Sequence, residues 1–427
     1  MPDSSKQPAD LASWLTYLEK LHPKSIAMGL ARVNQVKQRL GLTPNFIIIT
    51  VAGTNGKGST CAMLERILLA AGYRVGCYTS PHLLEYNERV RVDCVEASDA
   101  ELCRAFAAVE AARGDTMLTY FEFGTLAAMW HFCQNEIQAA VLEVGLGGRL
   151  DAVNAFDADC AVITGIDLDH MEYLGDTREA IGFEKAGVYR QGVPAICGDS
   201  EPPITVPQHA SKIHADYRQI GKDFGFQQHA GDWDYWSENE RIEQLPIPVL
   251  AGNFQLHNAA SAVAALRSLH HRLPVTEAAM RQGLEAVVLA GRFQTVQHKP
   301  KVIVDVAHNP QAARGLAENL RQTPCSGRTL AVFAMLSDKD VSGVIAVLGD
   351  EVDAWYVAGI DAPRGASCKE LAALLLGQLS ETEIFTCSNV AEALVQACCS
   401  ASENDRIIAF GSFYTVADAL RAFCPPT

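Results

Sequence analysis

Val51–Thr60 reads VAGTNGKGST and follows directly on the apolar run Phe46–Thr50. A strand that feeds a glycine turn and then a helix presents backbone N–H groups to an anion, and the helix dipole favours negative charge there. Gly53, Gly56 and Gly58 let the backbone approach phosphate closely, and Lys57 supplies a point charge for terminal phosphates. The spacing is not that of the common G-x-x-x-x-G-K-[ST] loop. Only Thr54 and Asn55 separate Gly53 from Gly56, and Gly58 stands between Lys57 and Ser59. The GTPase partner N-K-x-D is absent. A plain glycine-rich turn is the alternative, and the strand–helix setting favours a phosphate cradle.

Further candidates stand at the ends of later apolar runs. Ser80 lies in TSPHL, Glu143 closes AVLEVG, and His170 lies in GIDLDHMEYLG. A hydroxyl, a carboxylate and an imidazole at one sheet edge could hold a divalent cation beside a triphosphate. Each is ordinary alone, because a Ser before Pro is commonly a turn residue and magnesium prefers oxygen to imidazole. In GFEKAGV, Lys185 beside Glu184 is by default a solvated ion pair. The other option is a carbamate: a neutral lysine amine combines with CO2 and becomes an anion able to bind magnesium. LTYFEFGTLAAMW places Phe121 and Phe123 around Glu122, which suits a flat aromatic ligand or the core equally. GLGGRLDAVN lacks the dinucleotide spacing and reads as a flexible substrate-binding loop. Asp305 and His308 in VDVAHNP, with Arg292 in AGRFQ, are expected near the domain junction, where a nucleotide could be clamped.

The elements that must position these residues follow from periodicity. Leu11, Trp14, Leu15 and Leu18 share a helical face behind a candidate N-cap, Asp10, and Leu30, Val33 and Leu40 continue the helical spacing. Buried strands are expected at FIIITVA, RVGCYTS, AAVLEVG and CAVITGI, with a helix over Ser59–Ala71. This alternation predicts a mostly parallel sheet with function at its strand ends. Residues 198–250 are polar, carry Trp233, Tyr235 and Trp236, and read as a small antiparallel appendage before a helix over Leu256–His270. A second series, KVIVDVA, TLAVFAM, AWYVAG, EIFTC and RIIAFG, alternates with helices and predicts a smaller α/β domain, hinged over Ala290–Pro300. The expected division is 1–295 for the ATP-binding domain and 296–427 for the second.

A chain of 427 residues with net charge -15 disfavours nucleic acid and anionic membranes as partners. No apolar run approaches the roughly 20 residues a membrane helix needs. The first residues lack a basic stretch followed by an apolar one, and the 13 cysteines contain no C-x-x-C pair. Reduced thiols and a cytoplasmic location are expected.

Together GTNGKGS, SPHL, YFEFGT, LEVGLGGRLDAVN, DHMEYLG, EKAG, GRFQ, DVAHNP and GSFYTVA, in this order, resemble the folylpolyglutamate synthase branch of the Mur ligase superfamily. Within it they are most similar to the bifunctional bacterial dihydrofolate synthase/folylpolyglutamate synthases. The resemblance implies a P-loop ATPase domain and a C-terminal Rossmann-like domain that binds glutamate. It implies that Thr54, Asn55, Gly56, Lys57, Gly58 and Ser59 bind ATP phosphates, with Asn258, Arg292 and Asp305 completing the nucleotide site. Ser80, Glu143 and His170 then correspond to ligands of two magnesium ions, joined by a carbamoylated Lys185, with a monovalent cation as a further ligand. Lys57, Lys185, His170 and Glu143 would carry the catalysis. Lys24, Ser25, Ile26 and Ala27, Thr119, Tyr120, Phe121 and Glu122, and Leu150, Asp151 and Ala152 correspond to the dihydropteroate pocket. His308 and Ser412 are strand-end candidates for the substrate glutamate. One departure is Phe254 in GNFQLHNAA, where many members carry histidine.

The implied reaction passes the γ-phosphate of ATP to the carboxylate of dihydropteroate or of a reduced folate. The amine of L-glutamate then attacks the acyl phosphate. A monomer is expected. The alternatives are a monofunctional folylpolyglutamate synthase, a ligase of cell-wall precursors, and a non-catalytic nucleotide sensor. TYFEFG and GRLDAVN favour folate chemistry, and a sensor would be expected to lose the metal or carbamate positions, all of which are present here.

Overall fold

The computed structural model describes residues 8–24, 26–248, 250, 252, 254–362, 364–379 and 382–423. The chain divides into two compact units, Met1–Val249 with Gln255–Val287, and Leu250–Phe254 with Val288–Thr427.

The first unit is built on an eight-stranded sheet. Its strands are β1 Ile47–Ala52, β2 Val75–Tyr78, β3 Val90–Val92, β4 Val95–Glu96, β5 Ala139–Glu143, β6 Cys160–Ile163, β7 Pro194–Cys197 and β8 Asp216–Gln219, in the order β4-β3-β2-β5-β1-β6-β7-β8. β2, β5, β1, β6, β7 and β8 are parallel, and at one edge the short β3 pairs antiparallel with β2 and β4 antiparallel with β3. β5 and β6 are buried along their whole length, as continuous apolar runs between helical layers should be. The expected first helix is Leu11–Leu21, with Leu11, Trp14 and Leu18 buried and Asp10 accepting from Ser13 N–H at 2.8 Å. Helix Tyr120–Gln134 is buried almost all round, which is why FEFGTLAAMW lacks an amphipathic stripe. Phe123 belongs to this core, at 0% exposure.

The antiparallel appendage is smaller than residues 198–250. Strand β8 belongs to the main sheet and follows helix Thr205–Lys212, while β9 Phe224–Gln228, β10 Asp232–Ser237 and β11 Glu240–Pro246 form a separate antiparallel sheet. β8 is an edge strand with a single buried residue, so its sequence carries no apolar run to announce it.

In the second unit β12 Gln294–His298, β13 Lys301–Asp305, β14 Thr329–Phe333, β15 Ala354–Ala358, β16 Glu383–Cys387 and β17 Arg406–Phe410 form one sheet, ordered β12-β13-β17-β14-β15-β16. All are parallel except β12. The segment expected as a hinge, Ala290–Pro300, therefore holds a strand of this sheet. Among the described residues every cysteine is free, and no helix is long and apolar enough to cross a membrane.

Candidate active site

β1 ends at Ala52 and the phosphate loop begins. Gly53 has φ +150, and a Cβ there would collide with Thr164 Oγ1; Gly56 has φ +87, and a Cβ would collide with Asn258 Oδ1. Both positions thus need glycine for backbone angle and for space. The loop is laced to the end of β6: Thr54 N–H donates to Gly165 O at 2.8 Å, Thr54 Oγ1 to Asp167 O at 3.0 Å, and Thr164 Oγ1 to Asn55 O at 2.6 Å. The helix begins at Lys57, earlier than the expected Ser59, because left-handed Gly56 is its N-cap. No side chain caps it, so the first-turn N–H groups of Lys57, Gly58 and Ser59 have no intrahelical acceptor and can serve an anion. Lys57 Nζ folds back onto the loop, donating to Gly53 O and Thr54 O, each at 3.1 Å. Asn258 is buried and donates through Nδ2 to Gln255 Oε1 at 3.0 Å, which orients its amide against Gly56.

Lys185 is not the solvated partner of Glu184. Glu184 pairs with Arg149 at 2.8 Å, while Lys185 is 4% exposed and donates to Gly53 O at 2.8 Å. Burial, with the repulsion of Lys57, pulls the Lys185 amine down to about 7. A good part of it is therefore neutral near neutrality, the form that reacts with CO2. Glu143, at the end of β5, is buried, and its Oε2 accepts from Ser80 N–H at 3.0 Å. These contacts bring Ser80 and Glu143 side by side. His170 caps a short helix in left-handed geometry, with Nε2 3.9 Å from Asp169 Oδ2. Among the described residues no cluster of three His, Cys, Asp or Glu side chains forms a metal cage. The Glu143 carboxylate, with Ser80 bonded to it through its N–H, still fits magnesium, which binds through one or two carboxylates and completes its shell with water and phosphate.

The three segments expected to form the dihydropteroate pocket, far apart in sequence, are tied together. Thr119 caps helix Tyr120–Gln134 in a capping box: Glu122 N–H donates to Thr119 Oγ1 at 3.2 Å, and Thr119 N–H to Glu122 Oε2 at 2.7 Å. Glu122 also pairs with Arg32 at 2.8 Å, and Arg32 donates to Ala27 O at 2.6 Å. Gly29 N–H donates to Leu150 O at 3.2 Å. Lys24, Ile26 and Ala27 are described, whereas Ser25 lies outside the described residues. Phe121 stands 5.8 Å from Tyr78, and Tyr120 stands 5.9 Å from Tyr86. GLGGRLDAVN is a closely packed turn rather than a loose loop, since a Cβ on Gly148 would meet Glu184 O and Lys185 O within 2.8 Å. Asp151 accepts from Leu146 and Val153 N–H, each at 2.9 Å, and burial pushes its carboxyl up to about 7 against those donors. Arg32 had no signal in the sequence, since nothing about a helical arginine announces that it ties Ala27 to Glu122.

In the second unit, Arg292 lies 5.6 Å from the Phe413 ring and His308 6.0 Å from the same ring, with His308 Nδ1 bonded to Val306 O at 2.8 Å. Asp305, at the end of β13, accepts from Phe293 and Ala307 N–H, each at 2.8 Å. Burial raises its carboxyl pKa, an effect that Arg292 opposes. Ser412 is buried and accepts from Tyr414 N–H at 3.2 Å. Arg292 and His308 are thus gathered around Phe413, next to Ser412 just beyond β17.

A glycine phosphate loop on a parallel sheet, a half-neutral lysine against it and a second α/β sheet unit together have the build of a Mur-type ATP-dependent ligase. Residues 51–266 match the Mur ligase middle domain, and residues 291–413 match the Mur ligase, glutamate ligase domain. The chain belongs to the dihydrofolate synthase/folylpolyglutamate synthase family. It is 47% identical over 411 residues to the dihydrofolate synthase/folylpolyglutamate synthase of Escherichia coli, across 96% of this chain and 94% of the relative. E. coli FolC in complex with DHPP and ADP superposes with TM-score 0.92 at 46% identity, across 99% of this chain and 98% of that one. A bifunctional folylpolyglutamate synthase/dihydrofolate synthase with Mn, AMPPNP and L-glutamate bound has TM-score 0.90 at 47% identity, across 98% and 99%.

Proposed function

We propose that this ligase joins L-glutamate to dihydropteroate, giving dihydrofolate, and to reduced folates, giving folylpolyglutamates, through an acyl phosphate. The observation that carries the phosphoryl step is Lys185 Nζ, buried 2.8 Å from Gly53 O at the root of the phosphate loop. The relatives bound to DHPP and ADP, and to AMPPNP and L-glutamate, support the choice of substrates.

The N–H groups of Lys57, Gly58 and Ser59, with Lys57 Nζ, hold the phosphates and stabilise charge as the γ-phosphoryl group moves. Thr54 and Asn55 hold the loop in shape. We assign nucleotide binding to Asn258, Arg292 and Asp305 as well. Ser80, Glu143, His170 and carbamoylated Lys185 would hold two magnesium ions, with a monovalent cation as a further ligand. Such ions neutralise phosphate charge and orient the transferring group. The capping box Thr119–Glu122, tied through Arg32 to Ala27, fixes the wall where Tyr120 and Phe121 offer flat faces to a pteridine or aminobenzoate ring. Asp151, with Leu150 and Ala152, offers polar recognition of the pteridine. We assign the second unit to L-glutamate, with His308 and Ser412 as contacts. No covalent enzyme nucleophile is needed, so catalysis is chiefly positioning.

Mass spectrometry of products tests this reading, with dihydropteroate and tetrahydrofolate supplied separately. Each acceptor should gain one glutamate, and phosphate should appear only when ATP, acceptor and L-glutamate are combined. Phosphate release from ATP alone, or extension of tetrahydrofolate only, would contradict it.

A further inference from the structure

Arg89 lies in the turn between Ser80 and β3 and is half-buried. Its guanidinium stands 5.4 Å from the Tyr86 ring centroid and 5.6 Å from that of Tyr120, and its Nε donates to His82 Nδ1 at 2.8 Å. Among the described residues Arg89 forms no ion pair with a carboxylate. Glu88, beside it in sequence, spends its oxygens on the N–H groups of Leu83 at 2.7 Å, Leu84 at 2.6 Å and Glu85 at 2.8 Å. A guanidinium carries five donors in a planar fork, and His82 takes only Nε, so both terminal nitrogens remain for a ligand. The two rings hold the cation in place before any ligand arrives, which lowers the entropy cost of gripping one.

The position of this fork narrows the ligand. On one side Tyr120 belongs to the acceptor wall; on the other, His82 lies two residues beyond Ser80, whose N–H meets Glu143. A group gripped by Arg89 therefore lies between the acceptor's ring system and its reacting end. In dihydropteroate the reacting carboxylate is attached to the aminobenzoate ring and nothing charged precedes it. In a folate the reacting γ-carboxylate belongs to a glutamate whose α-carboxylate lies only a few bonds away. A carboxylate is the planar, two-oxygen partner that an arginine fork matches best. We infer that Arg89 binds the α-carboxylate of the terminal glutamate of a folate acceptor, a group dihydropteroate lacks, and so sets the balance between the two activities. This rests on the acceptor assignment proposed above.

Steady-state kinetics of the full chain, wild type against Arg89→Gln and Arg89→Lys, test it. The acceptors are dihydropteroate, tetrahydrofolate, and tetrahydrofolate with its α-carboxylate converted to a primary amide. Arg89→Gln should lower the ratio of kcat/KM for tetrahydrofolate to that for dihydropteroate by about ten- to a hundred-fold, through KM, as expected for losing a charged hydrogen-bonded pair. Wild type should discriminate against the amide by a similar factor, Arg89→Gln should not, and Arg89→Lys should recover only part. An equal loss on both acceptors would place the guanidinium on the phosphoryl group or in the fold of the turn, and would overturn the inference. So would a variant that still prefers the acid to the amide. If wild type extends neither acceptor, the acceptor assignment itself fails, which is a separate result.

Discussion

At Lys185 two unfavourable effects act on one ammonium: removal from water and the nearby charge of Lys57. Its amine titrates at about 7 in the folded chain against 10.5 for an ordinary lysine, so between those values the unfolded chain binds the extra proton. Stability should therefore rise with pH above about 7. In CO2-free buffer, the stability advantage of Lys185→Met over wild type should shrink by up to about 1.4 kcal/mol per pH unit across that window. A difference independent of pH would contradict the assigned environment. With isotope-labelled bicarbonate, wild type should show a carbamate NMR signal that Lys185→Met lacks. At the loop, Lys57→Ala should fold but lose nearly all turnover, with circular dichroism checking the fold. Lys57 and the glycines were legible because their spacing has a stereochemical purpose. The burial of Lys185 was not, since EKAG gives no sign that Glu184 turns to Arg149 and leaves the lysine facing Gly53.

Two elements carry the site, and each fails in its own way. The helix Lys57–Ala70 packs on helix Glu277–Glu285 so closely that a Cβ on Gly283 would strike the Ile67 backbone. Gly283→Val should cost about 1–3 kcal/mol by overpacking, read as a fall in Tm. The helix Tyr120–Gln134 starts on Thr119, whose hydroxyl accepts from Glu122 N–H at 3.2 Å. Thr119→Ala should cost about 1 kcal/mol. It should also raise KM for both acceptors, because Glu122 then loses the box that aims it at Arg32. Unchanged acceptor KM would detach this helix start from the acceptor site. Most strands were legible as apolar runs between glycine turns. β8 was not, because an edge strand with one buried residue needs no apolar run, so its polar sequence reads as part of the appendage. The helical character of FEFGTLAAMW was hidden for the opposite reason, burial on nearly every side.

For the whole molecule, motif order across the chain carried more than any single motif: the loop, the SPHL turn, EKAG and DVAHNP occur in the sequence of a known ligase. Composition added exclusions, and the net charge of -15 still leaves room for local basic groups such as Lys57, Arg32 and Arg89. What sequence could not provide was convergence: among the described residues, Ala27, Glu122 and Leu150 are joined through Arg32 and a backbone bond from Gly29. The central claim is that ATP's outermost phosphate passes to the acceptor's acid before glutamate attacks. Dihydropteroate whose carboxylate carries heavy oxygen tests this most directly, by mass analysis of the released phosphate. One labelled oxygen should appear in inorganic phosphate for each amide formed; dihydrofolate formed with unlabelled phosphate would contradict the account.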